Sequence, residues 1–420
     1  MTACAVAGST AAAVAAFTIA ADGSYAARLA GEGEARYPER WTLGGPEPYA
    51  VPLPLEQPEE ADSEVLPLVD GRVLIHRRVA ERHAFALLYP TGHRTGPRTG
   101  ELPLGAVTPA EGTRVTLLPP APDGLGAYAL AAGEESTTVW QVAGGGFGPA
   151  PVAHVPGRCS GGVWLDREGR LLALDREQGG VTKAVVVDLG RGGEVSALLQ
   201  IAEGSDDRLL LADVDSGLLL VRSDAPGEDR LGWGVLGSSR PVRFPECLRT
   251  VGATAVPFAV QPGQMLMPES CAVALRLAEP GGGAGAGDLS RAGSASGAGP
   301  ASGSGPDGSG LGAPGPGGSG LGGAGFGGAG DAIALWRPAD RHVFRLGAPY
   351  GWLGGAGLWT ADARLRLPYA TPDIPCGVVE LTLPEVPAAP VRLTAAVPSP
   401  ARAASRPAPR PVPLQQAPLA

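Results

Sequence analysis

Short apolar runs recur along the whole chain, separated by tight polar turns, and the plainest instance lies between Ser160 and Ile201. Its apolar runs are Val163 to Leu165, Leu171 to Leu174, Ala184 to Leu189 and Val195 to Ile201. Polar turns at Asp166 to Gly169 and Gly190 to Gly193 separate the first from the second and the third from the fourth. This pattern predicts four strands meandering into one small antiparallel sheet. Such a sheet cannot bury both faces by itself, so it needs neighbours of its own kind. No stretch sustains a helical 3.6-residue period, and the expected fold class is all-β.

Two registers count the repeats. A turn after the first strand recurs at Gly23, Gly71, Gly124, Gly169, Gly217 and Gly263, roughly 50 residues apart. A third-strand run recurs at ERWTLGG (39–45), FALLYPTG (85–92), TTVWQVAG (137–144), AVVVDLG (184–190), LGWGVLG (231–237), IALWRPAD (333–340) and GVVELTL (377–383). Seven instances predict seven units. The spacing breaks only between the fifth and sixth instances, where residues 281–330 are dominated by Gly with Ser, Ala and Pro. Such a segment has nothing to bury and reads as a flexible insertion between the second and third strands of unit six. Removing it restores the period. From Ala396 the chain turns to Pro and Ala with Arg402, Arg406 and Arg410, which reads as a disordered tail over 396–420.

Period, strand count and unit count together resemble a seven-bladed β-propeller of the WD40 or YVTN-like superfamily. The resemblance is carried by VWLDREGRLLALD (163–175) and IALWRPADRHVFRL (333–346). It implies a propeller over residues 1–395, built from four-stranded antiparallel blades. The Gly-His and Trp-Asp dipeptides of true WD40 repeats are missing, which marks a divergent member, and the single Lys with no Asn is the skew of a high-GC bacterial genome. Ring closure has two candidates: a strand from Thr2 to Gly8, or PVRLT beginning at Pro390.

Composition narrows the function. The net charge is −9, with 42 acidic against 33 basic residues, and this excludes a nucleic-acid binder that relies on clustered Lys and Arg. Lys183 is the one lysine, and no glycine-rich loop precedes it, so there is no P-loop. Asn is absent, which removes any N-glycosylation acceptor. The 5 cysteines are scattered without CxxC spacing and read as buried reduced thiols. Residues Ala3 to Ala21 are uncharged, but no Lys or Arg precedes them and Ala prevails over Leu. A cytoplasmic setting is therefore expected, without membrane association, and export through an atypical Ala-rich N-terminus is the alternative.

The candidate site is an acidic rim. In a propeller the links between blades share a face with the loops between second and third strands. Glu56, Glu59, Glu60, Asp62 and Glu64 fall in the first link, and Asp206 and Asp207 in a later one. Together they would attract a basic partner segment or a cation. The cluster His76, Arg77, Arg78, Arg82 and His83 reads as an ion-paired surface loop of the second blade. Trp41, Trp140, Trp233 and Trp336 recur on the third strand and read as packing between blades. No catalytic residue, cofactor site or metal site is assigned. The expected function is a non-catalytic protein-interaction scaffold on a monomeric propeller. The alternatives are a lactonase-like, metal-assisted hydrolase with its site in the central tunnel, and an exported ligand-binding module.

Overall fold

The computed structural model describes residues 17–31, 35–92, 98–250, 252–263, 267–278 and 331–383. The insertion over 281–330, the tail over 396–420, and both candidate closing strands lie outside these residues. Short apolar runs build every unit. The first contains β1 (Phe17–Ile19), β2 (Tyr25–Ala30), β3 (Tyr37–Thr42) and β4 (Tyr49–Pro52). The second contains β5 (Glu64–Pro67), β6 (Val73–Val79), β7 (Arg82–Thr91) and β8 (Arg98–Val107). The third is β9 (Arg114–Leu117), β10 (Ala127–Ala132), β11 (Ser136–Ala143) and β12 (Ala150–Pro156). The fourth is β13 (Arg158–Trp164), β14 (Leu171–Gln178), β15 (Val181–Asp188) and β16 (Glu194–Ala197).

The fifth unit has β17 (Asp207–Ala212), β18 (Leu218–Ser223) and β19 (Arg230–Val235), with Arg243 bridging Trp233 where a fourth strand would lie. The sixth has β20 (Thr254–Val260), β21 (Val273–Ala278), β22 (Asp331–Trp336) and β23 (Phe344–Gly347). The seventh has β24 (Leu358–Trp359), β25 (Arg364–Tyr369) and β26 (Gly377–Thr382) among the described residues. Within each unit consecutive strands pair antiparallel. One parallel pairing, Lys183 with Asp207, fuses the fourth and fifth units into a single sheet.

The core is divided among the seams between units. Leu53 and Ile75 meet across the first seam, Phe85 and Val115 across the second, Leu118 and Leu172 across the third. Ala184 and Leu219 follow, then Leu218 and Val273, then Ala274 and Leu365. The seventh seam joins the last unit to the first: Phe17, Trp41 and Leu43 pack with Ala356, Cys376 and Val378, and Arg366 Nη2 donates to the Leu43 carbonyl. The units therefore close into a ring, each buried on both faces by its neighbours, which is why runs such as Leu218 to Val221 are continuous rather than alternating.

The predicted registers match the structure closely. All seven third-strand runs fall on β3, β7, β11, β15, β19, β22 and β26. The marker glycines Gly23, Gly71, Gly124, Gly169 and Gly217 have φ of 74°, 82°, 71°, 65° and 73°, the left-handed region that a tight turn here demands. Unit seven places Ala363 there instead, at φ 63°. Gly263 departs from the pattern because its unit joins β20 to β21 through a longer connection containing a 3₁₀ turn at Pro268–Ser270.

Candidate interaction face

Antiparallel strands that alternate in direction put all blade-to-blade links on one face with all turns between second and third strands. We call this the link face. Its exposed loops hold Glu56, Glu60 and Asp62 in the first link, Glu111 in the second, Glu134 and Glu135 on the third blade, and Glu203 before the fifth. On the opposite face acids and arginines interleave and pair: Arg72 with Asp70, Arg167 with Asp215, and Arg170 with Asp166 and Asp188. Arginines stand on the link face too: Arg249 pairs with Glu228 and Arg230 with Glu246, and Arg78, Arg82 and Arg158 are exposed. Two open grooves of about 510 and 460 Å³ lie on the link face on either side of the β14–β15 hairpin. Arg176, Lys183, Gln200 and Glu203 line one; Glu134, Glu135, Arg158 and Glu177 line the other.

The predicted rim residues divide into two groups. Glu56, Glu60 and Asp62 are exposed. Glu59 is buried, and both its oxygens accept from Arg77, at 2.8 Å each. Glu64 is half-buried and accepts from the Leu117 backbone N–H at 2.8 Å. Asp206 accepts from the Thr182 N–H at 2.7 Å. Asp207 is fully buried and takes hydrogen bonds from Lys183, Ser205, Ser223 and the Ile201 N–H. Glu59, Glu64 and Asp207 therefore serve as internal tethers between successive blades.

The His and Arg cluster of the second blade is not a surface loop. His76 to Arg78 lie within β6, His83 lies within β7, and both histidines are buried. His76 Nδ1 sits 3.0 Å from Glu64 Oε2, and its Nε2 sits 2.8 Å from His83 Nδ1. Strand alternation was the available signal: Glu64, His76 and Phe85 occupy one cross-strand row. Arg77 points to the other face, where Glu59 and Glu101 neutralise it.

Thiol chemistry has little place in the fold. Burial pushes Cys159 up to about 11, against a hydrogen bond from Thr137, and raises Cys376 to about 11 as well. Cys271 is buried and is likewise raised by burial. Among the described residues no group of three or more His, Cys, Asp or Glu side chains is arranged to hold a metal ion.

No known family profile matches the chain, and no curated protein matches it in sequence. Solved structures do. TolB from Acinetobacter baumannii is 9% identical over 85% of this chain and 80% of its own, with a TM-score of 0.38. Sqt1 from Chaetomium thermophilum, solved with the N-terminus of ribosomal protein L10, is 10% identical over 87% and 96%, with a TM-score of 0.39. Prolyl oligopeptidase B from Galerina marginata is 10% identical, and the chain spans 44% of its length at a TM-score of 0.45. The chain is a β-propeller. At identities and TM-scores this low the likenesses carry no argument: the fold rests on the chain's own strand pairing and closed ring of seams, and its chemistry has to be read from its own residues.

Proposed function

We propose that the propeller is a non-catalytic scaffold that binds a basic segment of another protein on its link face. The observation that carries this reading is the set of exposed acids in the link-face loops: Glu56, Glu60, Asp62, Glu134, Glu135 and Glu203. An acidic patch on a rigid surface steers a partner of opposite charge and raises its association rate. Rigidity comes from the closed ring, in which every blade is held by two neighbours. The same reading takes the chain as a divergent WD40 or YVTN-like propeller that works as a monomer. A cytoplasmic setting is part of the proposal, and the unbridged buried thiols of Cys159 and Cys271 are in keeping with it.

The test is affinity purification of the tagged full chain from its host, in parallel with a variant carrying Glu60→Lys, Asp62→Lys, Glu134→Lys and Glu135→Lys. A partner retained by the native protein and lost by the variant, with capture weakening as salt rises, is the expected result. Equal capture by both proteins would overturn the link face as the binding surface.

A further inference from the structure

Blade 2 carries a chain of polar side chains across a face that packs against blade 3. Glu64, His76 and Phe85 lie opposite one another on β5, β6 and β7, and their side chains leave the sheet on the same side. His83, two residues before Phe85, joins them. Phe85 belongs to the seam with Val115 and Leu117, and the Leu117 N–H donates to Glu64 Oε2. His76 is only 3% exposed and His83 8%, and the His76 ring stacks on both Phe85 and His83.

Hydrogens can be counted along this chain. Glu64 Oε2 accepts from Leu117, so His76 Nδ1, 3.0 Å away, is the donor in that pair. The 2.8 Å contact between His76 Nε2 and His83 Nδ1 has room for one hydrogen. In the neutral state His83 Nδ1 supplies it, which leaves His83 Nε2 as the bare nitrogen. A proton arriving at that nitrogen makes one imidazolium whose charge is shared through the bond. A second proton would need two hydrogens in the shared contact and two cations at hydrogen-bond distance.

We propose that Glu64, His76 and His83 form a one-proton switch, in which the two rings together accept a single proton, at Nε2 of His83, and refuse a second. The groups facing it work in both directions. Burial comes first, then the neighbouring His76 and Arg78, which pairs with His83 across the strands; together they hold His83 below the ordinary histidine range, against Asp62 and Glu64. Arg77 leaves on the opposite face, matched by Glu59 and Glu101. Beside Asp62, the link face then changes by one elementary charge in a single step, whatever it binds.

The experiment is a pH series of long-range ¹H–¹⁵N spectra of the histidine rings in the uniformly labelled full chain, with exposed His154 as an internal reference. At pH 8 both His76 and His83 should report the Nδ1–H tautomer. On acidification they should take up one proton between them, with a midpoint below about 6.5, and Glu64→Gln should lower that midpoint by about one pH unit or more. Should Glu64→Gln fail to fold, Asp62→Asn removes the other carboxylate that raises His83 and should lower the midpoint in the same direction. The proposal falls if either ring is an Nε2–H tautomer at pH 8, if the rings titrate in two ordinary steps, or if the variant that folds leaves the midpoint unmoved.

Discussion

The ammonium of Lys183 on β15 lies 2.7 Å from Asp207 Oδ2 on β17, tying the fourth blade to the fifth at the one parallel pairing in the sheet. Lys183 also donates to the Ser205 carbonyl at 2.6 Å, and Asp207 is fully buried. A buried ion pair with its hydrogen bonds complete is costly to break from one side, because the remaining charge stays buried without its partner. Lys183→Met is therefore expected to reduce stability by about 3 to 5 kcal/mol, read by urea unfolding. Burial alone would raise Asp207, but Lys183, Ser223, Ile201 and Ser205 outweigh it and hold the carboxyl below its ordinary value. Its contribution is thus complete above the ordinary carboxylate range and is lost as pH falls through the depressed value. Unfolding curves followed from pH 7 to below the ordinary carboxylate range should show the native protein converging on Lys183→Met only at the acid end.

Asp175 behaves in the opposite sense. Burial raises it to about 7, against the Leu209 N–H that donates to Oδ1 and the field of Arg208. The folded state keeps its proton where the unfolded chain has already lost it, so folding weakens as pH rises from about 4 to about 7. Asp175→Asn keeps an acceptor for Leu209 and cannot ionise. It should match the native protein near pH 4 and exceed it by a few kcal/mol at pH 8, because each tenfold difference in proton affinity between the folded and unfolded chain is worth on the order of 1.4 kcal/mol. Equal stabilities at pH 8 would show that the site is better solvated than its burial indicates.

Ala363 holds the left-handed position that glycine fills in five other blades. A side chain at φ 63° costs on the order of 1 kcal/mol, offset in part by the smaller entropy of Ala in the unfolded chain. Ala363→Gly should raise the melting temperature by a degree or two. Gly124→Ala should lower it by more, since an added Cβ would meet Val69 Cγ1 at 2.3 Å.

Native thiol labelling gives a separate check on the seams. Cys159 and Cys376 are held near 11 by burial, so at pH 8 both should react with iodoacetamide far more slowly than a free cysteine. Unfolding in urea should release both. Fast labelling of the buried Cys159 in the native protein would mean that the seam between the third blade and the fourth opens readily.

Much of this architecture is legible in the residues alone. Each third-strand run combines β-branched or aromatic residues with a closing turn, and short-range pattern is enough to place such a strand. The rim is harder. Asp206 and Asp207 stand side by side and read as a solvated pair, yet Asp207 begins β17 and turns inward to Lys183 on the preceding blade. A lone lysine beside the apolar run from Ala184 is the available signal for a buried counter-charge. His76 and His83 read as loop residues because charge surrounds them. Counting by twos from Phe85 places His83 on the inner face, and pairing Phe85 across to β6 adds His76. Partners contributed by a different blade, such as Leu117 for Glu64, have no local signature.

Ala278 and Asp331 are direct cross-strand partners, so the chain leaves β21 and re-enters at β22 from the same place. The two described residues that flank 279–330 therefore adjoin each other at the link-face end of the sheet, and the pairing of β21 with β22 is set by their own register. Closing a loop costs only about 0.6 kcal/mol more for each doubling of its length. The position acts as a splice point in the ring, open to lengthening, trimming or the grafting of a foreign domain while the seams on either side stay shut.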